Sequence, residues 1–345
     1  MRRQNLSRAS HELFRRPADE RFESLEALAT YCQDRRQNSR DRWHPPAEVA
    51  VEAGLASPLQ LTLGGDGAFE LNDWSFGQLC RLAGVGKETV NRLTADTACR
   101  VFDETLPRGS AKPLQLLTDG ARLRSVHTAA YTRLHDAELV ELVAEFARDF
   151  QPPQPGLNGA TGLYAGEQDL FCFLIDPTGW TEIEGEAFAP GFFLWNSEVG
   201  RRSVGIQTFW FQAVCRNHIV WDAVEVVEFT RKHTTNVHDA LADMRRIIER
   251  LVAKRDARRD AFARCLSRAM HERLGEEAEE VLKTLLAQGI PRSAARQALA
   301  LAERQGRFTI FALVDALTRV AGECVYAGER TELDARAAQL LALAA

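Results

Sequence analysis

No window of this chain approaches the roughly 18 uninterrupted apolar residues of a membrane-spanning helix, so no membrane partner is expected. The N-terminal stretch MRRQNLSRAS is basic, but no apolar run follows it, so it does not read as a secretory signal. The seven cysteines (Cys32, Cys80, Cys99, Cys172, Cys215, Cys265 and Cys324) are odd in number and widely scattered. That pattern argues against a disulfide framework and for a reducing, cytoplasmic setting. Two Gly-rich stretches, GGDG and LNGATG, lack both the Lys-Ser/Thr ending of a phosphate loop and the six-residue dinucleotide pattern. Ser197, in NSEVG with Asn196 and Glu198, lacks the Gly-x-Ser-x-Gly elbow. Turn chemistry accounts for all three stretches. No nucleophile has an assigned base, so the sequence does not favour an enzyme and calls for no cofactor. No repeat of fixed period is present.

The net charge of −5 supplies no global pull toward nucleic acid, but the charge is unevenly spread. From Arg231 to Arg273 there are twelve Lys or Arg against six Asp or Glu. The first sixteen residues carry five Arg against one Glu. Acid concentrates elsewhere, in Glu138 to Asp149, Glu182 to Glu186 and Glu276 to Glu280. Such a patchwork can hold a polyanion on one face and stay soluble on the others.

With 345 residues, 45% hydrophobic and 26% charged, the chain is long enough for two or three packed units. Residues 1–45 read as a basic arm with one short amphipathic run, FESLEALATYC. Residues 46–150 read as a mixed α/β region: LQLTLGG and AFELN are strand-like, residues 73–106 are helical by period, and HDAELVELVAEFARDF is an amphipathic helix. Leu139, Leu142, Val143 and Phe146 form its stripe. QPPQPGLNGATG is a Pro- and Gly-rich break at 151–162. Residues 151–235 then read as an antiparallel sheet, because the intervening segments are too short for crossover helices. Residues 236–345 read as helical. Residues 237–270 lack Gly and Pro and predict one long helix, with Leu241, Met244, Ile248, Leu251 and Val252 among its apolar positions. The fold class expected is α+β: an antiparallel sheet packed with helices, followed by a mainly α-helical C-terminal region.

FGQLCRLAGVGKETVNRL (76–93) has the spacing of a helix-turn-helix, with Cys80, Gly84 and Val90 at the small, turn and apolar positions. As a duplex reader it would present Lys87, Glu88, Asn91 and Arg92 to the major groove. The competing reading is an αα-hairpin packed on a sheet. Cys215 and His218, followed by His233 and His238, resemble half of a zinc site with a loosely spaced second half, and no metal is assigned. Alternation on SVGIQTFWFQAVC puts Val204, Ile206, Trp210 and Val214 on one face and Gln207, Phe209, Phe211 and Ala213 on the other. Arg201 and Arg202 sit at a hairpin tip, and Arg231, Lys232, Arg245 and Arg246 open the following helix. Those six cations with Phe209 and Phe211 form the favoured candidate, a positively charged groove where bases stack and phosphates are neutralised without sequence reading.

GFFLWNSEVGRRSVGIQTFWFQAVCRNHIVW, RKHTT, TIFALVDALTRVAGE and RTELDARAAQLL resemble the phage- and plasmid-like family built on domain of unknown function 932. SVHTAAYTRLHDAELV resembles a further segment of that family, with Thr128, Tyr131, Leu134 and Asp136 in place and Ala129 where an acid is usual. His218 stands where the family frequently has Gly. The likeness runs over roughly residues 70–345 and implies a bacterial mobile-element or prophage setting without supplying an activity. The order of hairpin, further strands and long helix is similar to that of single-strand annealing proteins of the Red-beta and Rad type, a fold-level analogy. The function expected is therefore sequence-tolerant single-stranded DNA binding, with annealing and recombination, by a homo-oligomer working beside a host or phage recombination protein. The alternatives are a helix-turn-helix duplex regulator and an anti-defence protein-interaction factor.

Overall fold

The computed structural model describes residues 12–109, 112–153, 162–212, 218–221, 228–304 and 308–344. It opens with a two-residue strand, β1 (Glu20–Arg21), and helix α1 (Leu25–Asn38). Ser24 caps α1 by accepting from the backbone N–H of Ala27, and Leu28 and Cys32, one turn apart, are its buried stripe. Within the expected basic arm, residues 12–45 are folded: β1, α1 and the next strand all join the body.

Six strands make the first sheet: β2 (Ser39–His44), β3 (Val49–Ala53), β4 (Leu59–Leu63), β5 (Gly67–Leu71), β6 (Leu114–Asp119) and β7 (Arg122–Thr128), in spatial order β2-β6-β7-β5-β4-β3. Every pair is antiparallel except β5 with β7. That parallel pair needs a crossover, and three helices supply it: α2 (Asp73–Leu82), α3 (Lys87–Asn91) and α4 (Ala95–Thr105). Asn72 and Ser75 close a capping box at the start of α2. Gly84, with φ of +68°, turns the chain between α2 and α3, a conformation that an L side chain resists. Phe76, Cys80, Val90 and Phe102 are buried with Leu59, Leu61, Leu116 and Leu123 of the sheet.

Among the described residues the second sheet has eight strands. β8 (Leu163–Ala165), β9 (Leu170–Ile175), β11 (Glu186–Asn196), β12 (Val204–Gln212) and β13 (His218–Trp221) follow β1 in the order β1-β8-β9-β11-β12-β13. β10 (Thr181–Ile183) pairs with β11, and β14 (Glu228–Arg231) pairs with β12, all antiparallel. At the closed end of the central hairpin Trp195 faces Gly205, where a Cβ would stand 2.1 Å from the indole, so the ring needs glycine there.

Period-2 alternation divides the sheet as the sequence predicts. On one face Val204, Ile206, Phe192 and Leu194 pack against α1, α5 (Asp136–Phe146) and α6 (Asp239–Ala253). Further along that face the Trp210 indole stacks on Phe262 of α7 (Arg255–His271), with ring centres 4.4 Å apart and planes 5° from parallel. There it joins the core of α8 (Ala278–Ala287), α9 (Arg292–Arg304) and α10 (Ile310–Gly322). The opposite face carries Phe171, Phe173, Phe193, Phe209 and Phe211 beneath α11 (Ala327–Leu341).

The single helix expected over 237–270 is two helices broken at Lys254. Met244, Ile248 and Leu251 of the first lie in the α1–α5 core, whereas Phe262, Leu266 and Ala269 of the second lie in the α8–α11 core, so the chain redirects between two burial sites. Val252, expected to be apolar and inward, is 46% exposed at that break. The Pro/Gly stretch at 151–162 is also not where packing changes, because α5, ahead of it, already belongs to the second sheet's core. Residues 154–161 lie outside the described residues.

Long-range polar contacts tie the chain's beginning to its end. Asp19 accepts from the backbone N–H of Ala327 at 3.0 Å, and the Tyr326 hydroxyl donates to the carbonyl of Arg16 at 3.0 Å. Arg16 also pairs with Asp19 and Asp169 and lies over the Tyr326 ring.

Candidate nucleic-acid interface and the charged seam between the sheets

The groove expected at the β-to-α junction does not assemble. Phe209 and Phe211 are 0% and 2% exposed, sealed beneath α11, and cannot stack on a base. Arg202 lies over Phe171, with its Nε 2.8 Å from the fully buried carboxylate of Asp169 and its Nη2 3.3 Å from Glu332. Arg231 is held by Asp243 at 2.6 Å and approaches Asp239 at 3.8 Å. Arg201 is exposed, with its guanidinium over Trp74. The structure therefore corrects four of the eight residues: two rings are core, and two arginines are intramolecular partners.

Lys232, Arg245 and Arg246 remain exposed. Arg245 pairs with Glu249 at 3.3 Å and Arg246 with Asp243, both on the surface. Surface pairs of this type are worth only about 0–1 kcal/mol, so a phosphate can take the place of the carboxylate. The same outer face of α6 continues the charge. Arg246, Arg250 and Lys254 stand four residues apart on one exposed stripe. On α7 Arg264 and Arg268 repeat the spacing.

The helix-turn-helix residues form an αα-hairpin with a short second helix. α3 has five residues, and the Lys87 Nζ sits 2.8 Å from Asp73. The Asn91 amide both accepts from and donates to the backbone of Phe14, at 2.7 Å each. Of the four residues a duplex reader would present, Glu88 and Arg92 are exposed, and Lys87 and Asn91 are half-buried. Among the metal candidates, Cys215 lies outside the described residues, and so does the side chain of His218. His238 is exposed, with its Nδ1 3.3 Å from Glu138. His233 is buried and stacks on Tyr131, which stacks in turn on His127 at 3.7 Å. Burial, with the Arg133 charge beside both, pushes His127 down to about 3 and His233 down to about 4, so both imidazoles are neutral. Among the described residues no group of three His, Cys, Asp or Glu is placed to hold a metal.

The most densely charged buried region is the seam where the NSEVG turn of the second sheet meets β7 of the first. The Glu198 carboxylate receives Arg124 Nη2 at 2.6 Å and the backbone N–H of Asp136 at 2.9 Å, with His135 Nδ1 at 3.4 Å. Asn196 Nδ2 donates to Asp136 at 2.8 Å and to the carbonyl of Leu134 at 2.9 Å. Arg133 pairs with Asp41 at 3.0 Å and donates to the Glu198 carbonyl. Ser197 Oγ donates to the Gln168 carbonyl at 2.5 Å and accepts from Arg201 N–H at 2.8 Å, so it is a turn residue and no nucleophile.

Two carboxylates share this site and are shifted in opposite directions. Burial raises Asp136, and the Glu198 charge adds to the rise. Burial also works to raise Glu198, but Arg124 and Arg35 outweigh it and hold that carboxyl below its ordinary value. Asp136 and the Asn-Ser-Glu turn, about 60 residues apart in sequence, thus meet in one network. Arg35, Arg124 and Arg133 carry no local motif, and nothing in the sequence marks them. Arg35 and Arg124 also line the inner wall of an intersheet cleft of about 700 Å³.

A family model described as a domain of unknown function (DUF932) matches residues 125–340, more than half of the chain. No curated protein and no solved structure matches it.

Proposed function

We propose that the chain, which belongs to the family described as domain of unknown function 932, is a sequence-tolerant single-stranded nucleic-acid-binding protein that uses the outer faces of α6 and α7. The observation that carries this reading is the exposed stripe Arg246, Arg250 and Lys254, continued by Arg264 and Arg268 on the next helix. Exposed cations at helical spacing neutralise successive phosphates and read no base edge, which is the chemistry of sequence-independent binding. The acids that interrupt the stripe, Glu249, Asp256 and Asp260, are exposed and pair on the surface, so they screen the cations weakly. The short α3 with its engaged Lys87 and Asn91 weighs against a duplex reader. A mobile-element setting belongs to the same proposal, supported by the resemblance of the NSEVG hairpin and the helical segments to the phage- and plasmid-like family, and strand annealing by an oligomer enters it by the fold-level analogy of element order.

Fluorescence anisotropy tests it. Labelled single strands of unrelated sequence should bind at low salt with similar affinity, and the charge-reversal variant R246E/R250E/K254E should lose most of that binding while keeping its circular dichroism spectrum. No binding at low salt, or strong preference for one duplex sequence, overturns the proposal.

A further inference from the structure

The intersheet cleft has a charge arrangement that the helical stripe does not share. Its inner wall holds two guanidiniums. Arg35 Nη1 donates to the Gly166 carbonyl at 2.9 Å and lies 3.2 Å from the Tyr31 hydroxyl. Arg124, 4% exposed, donates to Ser39 Oγ at 3.1 Å and pairs with Glu198 behind the wall. Asp136 is the other carboxyl behind that wall, and burial favours its neutral form. Glu198 pairs directly with Arg124, whereas the contacts of Arg35 are a carbonyl and a hydroxyl, both neutral. Carboxylates also line the cleft: Glu20, Asp34, Glu70, Asp73, Asp119 and Glu167, with Arg15 and Arg122. Of those acids Glu20 and Asp34 are exposed, while Glu167 accepts from the backbone N–H of Trp74 at 2.7 Å.

A cavity of about 700 Å³ falls within the usual range of small-molecule sites, which place a few convergent polar groups in a preformed concavity. With two guanidiniums set among carboxylates, the cleft presents charges of both signs. It complements a molecule that carries an oxyanion at one end and an ammonium or guanidinium at the other. A planar guanidinium matches a carboxylate or phosphate head, and Tyr31, Phe14 and Leu71 also line the cleft.

We propose that this cleft binds a small zwitterion, with its carboxylate or phosphate head on Arg35 and Arg124 and its cationic end at the rim carboxylates. The site lies on different elements from the helical stripe, so the two proposals stand or fall separately.

Isothermal titration calorimetry on the full chain is the test, with L-lysine, L-arginine and phosphoethanolamine as probes and with acetate, inorganic phosphate and butylamine as single-ended controls. At least one zwitterion is expected to bind saturably and more tightly than any single-ended control. A carboxylate probe that succeeds identifies an amino-acid head; phosphoethanolamine alone identifies a phosphate head. R35Q should weaken binding about tenfold or more, the loss of a charge-assisted hydrogen bond. Because Arg35 also braces Gly166, the rim variant D34N/E70Q provides a second measure, and it should weaken zwitterion binding while leaving the anionic controls unchanged. No saturable binding by any zwitterion overturns the proposal. So does binding of inorganic phosphate or acetate as tight as that of the zwitterions, or zwitterion binding that D34N/E70Q leaves untouched.

Discussion

Raising the salt concentration gives the sharpest test of the helical stripe, because the charge count fixes the size of the response. Arg245, Arg246 and Arg250 on α6, Lys254 at the break, and Arg264 and Arg268 on α7 make six exposed cations. A single strand releases about 0.7 counterions per phosphate neutralised, so six contacts predict a log–log slope of about −4. Between about 50 and 200 mM salt the affinity should then fall on the order of 10²-fold. R246E/R250E/K254E removes three of the six contacts and should halve the slope. The folding cost should be small, since Arg246 offers the fold only a surface pair with Asp243. Anisotropy titrations of one labelled single strand across four salt concentrations, with both proteins, measure both slopes. A wild-type slope near zero, or the same slope in the variant, would refute the assignment of phosphate contacts to this face.

Three other perturbations test the fold and the seam. His127 and His233 are neutral when folded, so their contribution to stability is complete above about 6.5 and is lost as the pH falls toward their folded values of about 3 and 4. Each should withdraw about 2 kcal/mol between pH 6.5 and 5, and H127F/H233F should flatten urea-melt stability over that window relative to wild type. The raised Asp136 has the opposite sign, and the comparison cancels it because both proteins retain it. Truncating Arg124 to Met leaves Glu198 buried beside fewer cations and should cost about 3–5 kcal/mol by chemical denaturation; a cost below 1 kcal/mol would mean the pair is not buried as described. Removing the ring that stacks on Trp210, by Phe262→Ala, should cost about 3–5 kcal/mol and shift Trp fluorescence.

Much of the fold was legible in the sequence because it follows from periodicity. The alternation on β12 sorted Val204 and Ile206 from Phe209 and Phe211 correctly, and the stripe Leu139, Leu142, Val143 on α5 is buried as read. Periodicity does not say which covered face meets solvent. Phe209 and Phe211 looked available because α11, more than 100 residues later, had no visible reason to lie on them. The break at Lys254 was illegible for a related reason: no Gly or Pro causes it, and two separate cores pull the helix apart. The charged seam was half visible. Asn196, Ser197, Glu198 and Asp136 stood out in sequence, but their partners Arg124, Arg35 and Arg133 come from other elements and have no local signature.

The tie between Arg16, Asp19 and the Tyr326–Ala327 corner has a consequence for biosynthesis. Over 300 residues separate these partners, so the opening segment leaves the ribosome long before the groups that satisfy Asp19 exist. At about 5–20 residues per second it waits on the order of tens of seconds, its carboxylate hydrated and its edge strand only provisionally docked. Final closure of the molecule therefore waits for residues 326 and 327, and a nascent chain stalled before residue 326 should expose the Arg16–Arg21 stretch to protease while the first sheet is already resistant.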